Sequence, residues 1–359
     1  MKVNGPWWQP SLNWLLVFVP LSVVAEFAHV DPLWVFLASA AGIIPLAGWM
    51  GRATEELAHR VGAGVGGLLN ATFGNAAELI IALVALRAGL HDVVKASLTG
   101  SIIGNILLVC GFSLLVGGIG RERQEFNRTA ARNGATSLFL AAIALIMPAM
   151  YHAIEPFPSI NAEQHLSVAL AVILLVLYGL SLMFSLVTHR HLYLGDLGAH
   201  ERAEPAWTLR WSIGVLLAAT ALIAVLSEFL VGSIEHTSHR LGLSELFVGV
   251  VVVAVIGNAA EHSTAVLAAA KDQMDLSMAI SIGSSLQIAL FVAPLLVLVS
   301  YLIGPPMDLV FTASEVTAVV LSVLIVYQIA SDGESNWFEG AQLLGVYLIL
   351  AIVFYFLPG

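Results

Sequence analysis

Apolar runs long enough to cross a bilayer recur along the whole chain and restrict what it can fold into. Of its 359 residues, 59% are hydrophobic and 11% are charged, whereas a soluble domain carries about a quarter charged residues. A soluble fold would therefore expose too much apolar surface. Segmentation by hydrophobic length predicts an all-α polytopic membrane protein with about eleven transmembrane helices. They span about 12–29, 32–50, 64–89, 93–119, 131–151, 164–188, 211–233, 245–270, 274–303, 309–331 and 337–357.

The charge distribution argues against a nucleic-acid-binding surface and predicts an orientation in the membrane. The formal net charge is −10, and the basic residues form no patch or stripe. A cytoplasmic N-terminus leaves only Arg87, Lys95 and Arg240 in outer loops and satisfies the positive-inside rule. The cytoplasmic segments then hold Lys2, Arg52, Arg60, Arg121, Arg123, Arg128, Arg132, Arg190, Arg202, Arg210 and Lys271. The short N-terminal segment favours a prokaryotic cell membrane.

A repeated motif divides the chain into two halves. An offset of 183 residues aligns Gly-Asn-Ala-Ala-Glu at 74–78 with the same five residues at 257–261, and Gly-Ser at 100–101 with Gly-Ser at 283–284. Because each half holds five predicted helices, an odd number, the second half enters the membrane from the opposite side. Such inverted repeats with polar, glycine-interrupted helices are typical of secondary transporters.

The repeat predicts four regions. The peripheral first helix occupies 1–30, the first five-helix half 31–188, a charged cytoplasmic linker 189–210, and the second five-helix half 211–359. The lone Cys110 provides neither a disulfide framework nor a cysteine-rich metal site.

The glutamate of each motif falls near the middle of a predicted helix. Glu78 lies about 14 residues, or about 21 Å, from one end of its helix, and Glu261 lies at a similar depth. A carboxylate at the bilayer centre costs about 3 kcal/mol even on a lenient scale, so both are expected to face a functional site. Asn75 and Asn258 precede them by three residues and share their helical faces.

The next helix of each half adds hydroxyl and amide groups. Ser101 and Asn105 are spaced i, i+4, and Ser284 and Gln287 are spaced i, i+3, so each pair shares one face. We expect the amides of Asn105 and Gln287 to belong to the site. The neighbouring glycines, Gly100 and Gly283, are expected to allow close helix packing.

These oxygen-rich groups favour calcium as the metal held by Glu78 and Glu261. Calcium accepts about 6–8 oxygen ligands in flexible geometry, whereas magnesium needs a tighter octahedron and zinc prefers histidine or cysteine. Calcium and protons would then compete for the same carboxylates, which couples their movement. Calcium is thus expected as transported ion and not as a resident cofactor, and calcium, protons and lipid are the expected partners.

Three more acidic residues fall near the ends of predicted helices. Glu55, Glu56 and Glu235 either attract cations into the access pathways or are ordinary solvated end charges. The sequence leaves both interpretations open.

Three functions other than calcium/proton exchange would also need polar groups inside the membrane. A sodium-coupled calcium exchanger and a passive divalent-cation channel stay open as alternatives. An intramembrane metalloenzyme using Glu261-His262 would need a second histidine at metal-ligand spacing, but Asn258 stands three residues before Glu261. We therefore do not expect an enzyme.

The motifs at 74–80, 95–105, 257–262 and 281–287 resemble those of the calcium/proton exchangers in the calcium/cation antiporter superfamily. The resemblance covers nearly the whole chain after the first helix. It implies ten core helices in two inverted halves, with alternating access by sliding of the helices at 32–50 and 211–233. It also implies cation binding by Glu78 and Glu261 with Asn75 and Asn258. The proton-linked residues that it implies are Ser101, Asn105, Ser284 and Gln287.

Overall fold

Helices make up nearly all of the protein that the computed structural model describes, namely residues 12–61, 63–155, 159–192 and 206–357. Most of the predicted linker lies outside these residues. The helices are α1 (Phe18–Phe27, after a 3-10 turn at Leu12–Val17), α2 (Pro32–Val61), α3 (Ala63–Phe73), α4 (Ala76–Arg87), α5 (His91–Ile103), α6 (Cys110–Gly118), α7 (Arg128–Ile154), α8 (Ile160–Met183), α9 (Leu209–Gly232), α10 (Ile234–Leu241), α11 (Glu245–Phe247), α12 (Ala254–Ala270), α13 (Met274–Gln287), α14 (Ala293–Ile303), α15 (Ala313–Ile329) and α16 (Trp337–Phe356).

Wider π-helical turns join several of these helices into continuous rods. Gly104–Val109 joins α5 to α6, Val248–Val253 joins α11 to α12, and Ile288–Val292 joins α13 to α14. A fourth, Phe184–Thr188, follows α8. Because π-helical turns often mark functional sites, the turns that begin at or beside Asn105 and Gln287 point to the same region as the motifs.

Within the described residues, eight helical rods are long and apolar enough to cross a membrane. Leu12–Phe27 and Ala313–Ile329 are shorter apolar helices. The fold is therefore that of an all-α polytopic membrane protein. The first helix packs at the side of α2, where Ser39 donates a hydrogen bond of 3.3 Å to Ser22.

The structure corrects one predicted helix, because the segment expected at 64–89 is interrupted. It consists of α3 and α4, which are separated at Gly74 and Asn75, and Asn75 has φ −100° and ψ 25°. Glycine and asparagine both form helices poorly. Yet Gly257 and Asn258 lie inside the continuous helix α12, so the tertiary surroundings and not the dipeptide alone decide where the helix breaks.

The two halves contact each other in matched pairs of helices. α2 packs along α9, α4 packs on α9, and α12 packs on α2. The α5–α6 rod contacts α16, just as the α13–α14 rod contacts α8, and α7 contacts α15. A two-stranded antiparallel ladder joins β1 (Gln124–Glu125) to β2 (Glu334–Ser335). Each of these helix–helix contacts thus has its counterpart from the other half, as an inverted repeat requires.

Two equivalent glycines have different surroundings. A Cβ placed on Gly100 would overlap the backbone carbonyl of Val250, because α5 crosses the π-helical turn at that point. At Gly283 a Cβ would meet nothing within 4 Å. The structure supports the expected packing role of Gly100 but gives no packing reason for Gly283.

Gly100→Ala is therefore expected to destabilise the protein by about 1–3 kcal/mol, because the added methyl group forces two backbones apart. Thermal unfolding in detergent, followed by size-exclusion chromatography, measures the effect. Gly283→Ala is the matched control, and its midpoint should stay level or rise, since alanine favours a helix over glycine by about 1 kcal/mol. Equal midpoints for the two variants would contradict this account of the crossing.

Candidate functional site: a pair of buried glutamates

Glu78 lies in the first turn of α4, directly after the helix break. It is 7% exposed, and its Oε1 accepts a hydrogen bond of 3.0 Å from the Ser101 hydroxyl of α5. The N-terminal end of a helix carries a partial positive charge, which favours a carboxylate there. The break therefore gives this carboxylate an electrostatic setting that an uninterrupted helix would lack.

A chain of hydrogen bonds runs from Asn105 to Glu78 and passes through both halves. Asn105 Nδ2 donates to Asn258 Oδ1 at 3.1 Å, and Asn258 Nδ2 donates to Ser101 Oγ at 2.9 Å. Asn258 Nδ2 also donates to the Ala254 carbonyl at 2.8 Å, inside its own helix. The Ser101 oxygen thus accepts from Asn258 with a lone pair and donates its single proton to Glu78.

Glu261 lies in α12 with one carboxylate oxygen left free. Its Oε2 is buried and has no hydrogen-bond partner among the described residues, and Ser284 lies beside the carboxylate. On the other side of the site, Asn75 Nδ2 donates to Gln287 Oε1. Asn75 Oδ1 is likewise buried and has no partner in the described part of the chain.

Each motif places its glutamate against the glycine of the other motif. A Cβ on Gly257 would lie 2.7 Å from Glu78 Cγ, and a Cβ on Gly74 would lie 3.7 Å from Glu261 Oε1. The missing side chain of Gly257 leaves room for Glu78, whereas a Cβ on Gly74 would be in ordinary van der Waals contact with Glu261. The two carboxylates lie close enough to interact electrostatically. Sequence reasoning missed this role of Gly257, although the glycine repeated in both motifs was a usable signal.

The buried oxygens form a site that fits a hard cation. The two carboxylates, one of which has the free Glu261 Oε2, and the side-chain Oδ1 of Asn75 are ligands that calcium accepts. No three His, Cys, Asp or Glu side chains converge on a metal site within the described ranges. The arrangement thus differs from carboxylate-rich or histidine-rich metal centres and depends on amide and hydroxyl groups.

The predicted acidic residues of the access pathways lie apart from this cluster. Glu55 and Glu235 are exposed, on α2 and at the start of α10. Glu56 is buried at 8% exposed, and its Oε2 accepts a hydrogen bond of 3.1 Å from the backbone N–H of Trp207. Their role in attracting cations stays a prediction.

Comparison with known proteins places the chain in a family. The model of the family described as "Sodium/calcium exchanger protein" matches residues 32–187 and 211–356. A Ca(2+)/H(+) antiporter of Aphanothece halophytica is 47% identical over 96% of both chains. The Ca(2+)/H(+) antiporter ChaA of Bacillus subtilis is 46% identical over 94% of this chain and 97% of its own. The solved structure of native YfkE is 42% identical and covers 97% of this chain and 100% of its own, with a TM-score of 0.85.

These relatives are transporters, they span nearly the whole chain, and one shares its three-dimensional fold. Together with the resemblance of the two motifs, they show that the chain belongs to the sodium/calcium exchanger protein family.

Proposed function

We propose that this protein exchanges calcium for protons across a membrane, with Glu78 and Glu261 binding the cation or protons competitively. The observation that carries the proposal is the crossed packing of each glutamate against the glycine of the other motif. It brings two carboxylates of an apolar protein to one buried site. The relatives named as Ca(2+)/H(+) antiporters support the same pair of ions.

The energetic reason for the coupling lies in the cost of buried negative charge. Two adjacent carboxylates away from water are expensive unless something neutralises them. A calcium ion bound between them does so, and so do protons. Since both use the same oxygens, arrival of one species displaces the other.

Alternating access follows from the inverted repeat. We infer that α2 and α9, which pack along each other and flank the site through α12 and α4, slide to open it toward one side and then the other. The site itself is built from α4, α5, α12 and α13 and would stay assembled during that movement. A transporter that cannot easily reorient its empty charged site must return with protons.

The loop contacts support the proposed topology, in which loops on the same side of the membrane meet, and the distribution of basic residues favours a cytoplasmic N-terminus. Residues assigned to the inner side contact one another, as Arg121 does with Asp272 at 3.3 Å. Residues assigned to the outer side do the same, as Lys95 does with Asp308 at 2.5 Å. An integral position in a prokaryotic cell membrane completes the proposal.

In vesicles with an imposed proton gradient, Glu78→Gln and Glu261→Gln should each lower calcium uptake roughly a hundredfold, equivalent to about 2.7 kcal/mol. Each substitution keeps the size of the side chain but removes a charge that binds calcium. Glu122→Gln, an exposed loop carboxylate, is the matched control. Uptake that persists in both site variants would rule out this mechanism.

The same vesicles separate the alternatives. Replacing sodium with choline at clamped pH should leave uptake unchanged, whereas its loss would indicate sodium coupling. Dissipation of a calcium gradient without proton movement would indicate a passive channel.

Ser101→Ala should weaken calcium uptake roughly tenfold, the effect of losing a hydrogen bond to a charged group. The substitution removes both the donor to Glu78 and the acceptor for Asn258. Uptake at varied calcium concentration measures the change. Ser113→Ala is the control, because Ser113 is also buried but its hydroxyl has no partner among the described residues. Equal uptake by these two variants would show that the hydrogen-bond chain is not needed.

A further inference from the structure

A second cluster of contacts lies at the end of α2, away from the glutamate pair, and holds Trp207. This residue directly precedes Thr208, whose side chain caps the N-terminus of α9 by accepting from Trp211 N at 3.3 Å. Trp207 is thus where the chain that joins the two halves enters the second half. Contacts that hold Trp207 in place therefore also hold the first residues of α9 in place.

Four residues on one face of α2 contact Trp207. The Trp49 ring stacks on the Trp207 ring with centroids 5.7 Å apart. Arg52 Cζ lies 4.9 Å from the centroid of the same ring, a cation–π geometry. The spacing of Trp49, Arg52, Glu56 and Arg60 puts all four on one side of a helix.

The backbone of Trp207 is also bound on both sides. Its N–H donates to Glu56 Oε2 at 3.1 Å, and its carbonyl accepts from Arg60 Nη2. Glu56 is 8% exposed, so its carboxylate is committed to this contact and not to solvent. Trp49 is oriented in turn by its Nε1, which donates to Asn13 Oδ1 at 2.9 Å.

The same helix passes the glutamate pair immediately before this cluster. A Cβ placed on Gly48 would lie 3.9 Å from the Cβ of Ala260, the residue before Glu261. One residue later, Trp49 begins the contacts with Trp207. A movement of α2 past the site therefore reaches Trp207 through a single rigid helix.

We propose that Trp207, held by Trp49, Arg52, Glu56 and Arg60, is a positioning residue that fastens the start of α9 to α2, so that the two helices move as one body during exchange. The inference rests on the proposed alternating access. We call Trp207 and these four residues of α2 the clamp. In it, Glu56 is a hydrogen-bond acceptor and not a charge that attracts cations. The clamp keeps the register of α2 and α9 constant while both slide past α4 and α12.

The exchange rate tests the clamp. Trp207→Ala should lower the maximal rate of calcium/proton exchange in vesicles roughly fivefold, equivalent to about 1 kcal/mol, and leave half-saturating calcium unchanged. Both variants keep the backbone N–H and carbonyl of residue 207, but Trp207→Phe also keeps an aromatic ring for Trp49 and Arg52 to contact and should restore the rate. Trp211→Ala, an exposed tryptophan four residues further along the chain, is the matched control. A wild-type rate in Trp207→Ala, or an equal loss in Trp211→Ala, would overturn the proposal.

Two substitutions of Glu56 distinguish a role as hydrogen-bond acceptor for Trp207 from a role in attracting cations. Glu56→Gln retains an oxygen acceptor for the Trp207 N–H and should transport close to the wild-type rate, whereas Glu56→Ala should resemble Trp207→Ala. Equal losses in both variants would show that the charge and not the hydrogen bond matters. This pair decides the question even if Trp207→Ala does not fold.

A distance measurement tests the clamp without relying on transport. Cys110 is the only cysteine, so a Cys110→Ser background allows spin labels at His59→Cys on α2 and Ile213→Cys on α9. The clamped protein should give one narrow distance that is the same with and without calcium, and Trp207→Ala should broaden it. An unchanged distribution in Trp207→Ala, or a calcium-dependent distance in the clamped protein, would overturn the proposal. Absence of calcium/proton exchange in the unaltered protein would instead refute the proposed function and leave the distance result valid.

Discussion

The crossed contact between the two motifs, with each glutamate against the glycine of the other, is the constraint on which the site depends. It exists only because the halves are inverted relative to each other, so that α4 and α12 approach from opposite sides. It also needs glycine at position 257, since a methyl group on Gly257 would displace Glu78. The π-helical turns and the close passage of α5 at Gly100 then bring Ser101 and Asn105 to the same place.

The two glutamates share a motif but not an environment. Glu78 follows a helix break and has its Oε1 bound to Ser101, whereas Glu261 lies within a continuous helix and keeps a buried Oε2 without a partner in the described residues. The inverted repeat therefore builds an asymmetric site in this conformation. When the site opens toward the opposite side of the membrane, we expect Glu78 and Glu261 to exchange these surroundings.

Much of this organisation could be predicted from the sequence, because a bilayer leaves the backbone few choices. Hydrophobic length located the apolar segments, of which eight in the described residues are long enough to cross a membrane. The repeated motif identified Glu78, Glu261, Asn75 and Asn258 as neighbours in space. The helix break at Asn75 could not be predicted, since identical residues stay helical at Asn258, where the side chain bonds to Ala254. The burial of Glu56 could not be predicted either, because its partner Trp207 lies 151 residues away along the chain. The region boundaries and the orientation remain predictions.

In the proposed mechanism calcium and protons compete for Glu78 and Glu261, and proton release from the purified protein measures this competition. Calcium added to the protein in a weakly buffered detergent solution near neutral pH should release protons as it binds, with a saturation that follows calcium binding measured by calorimetry. The Glu78→Gln/Glu261→Gln double variant should release none. Calcium binding without proton release, or equal release from the double variant, would show that the two ions do not compete for this pair of glutamates.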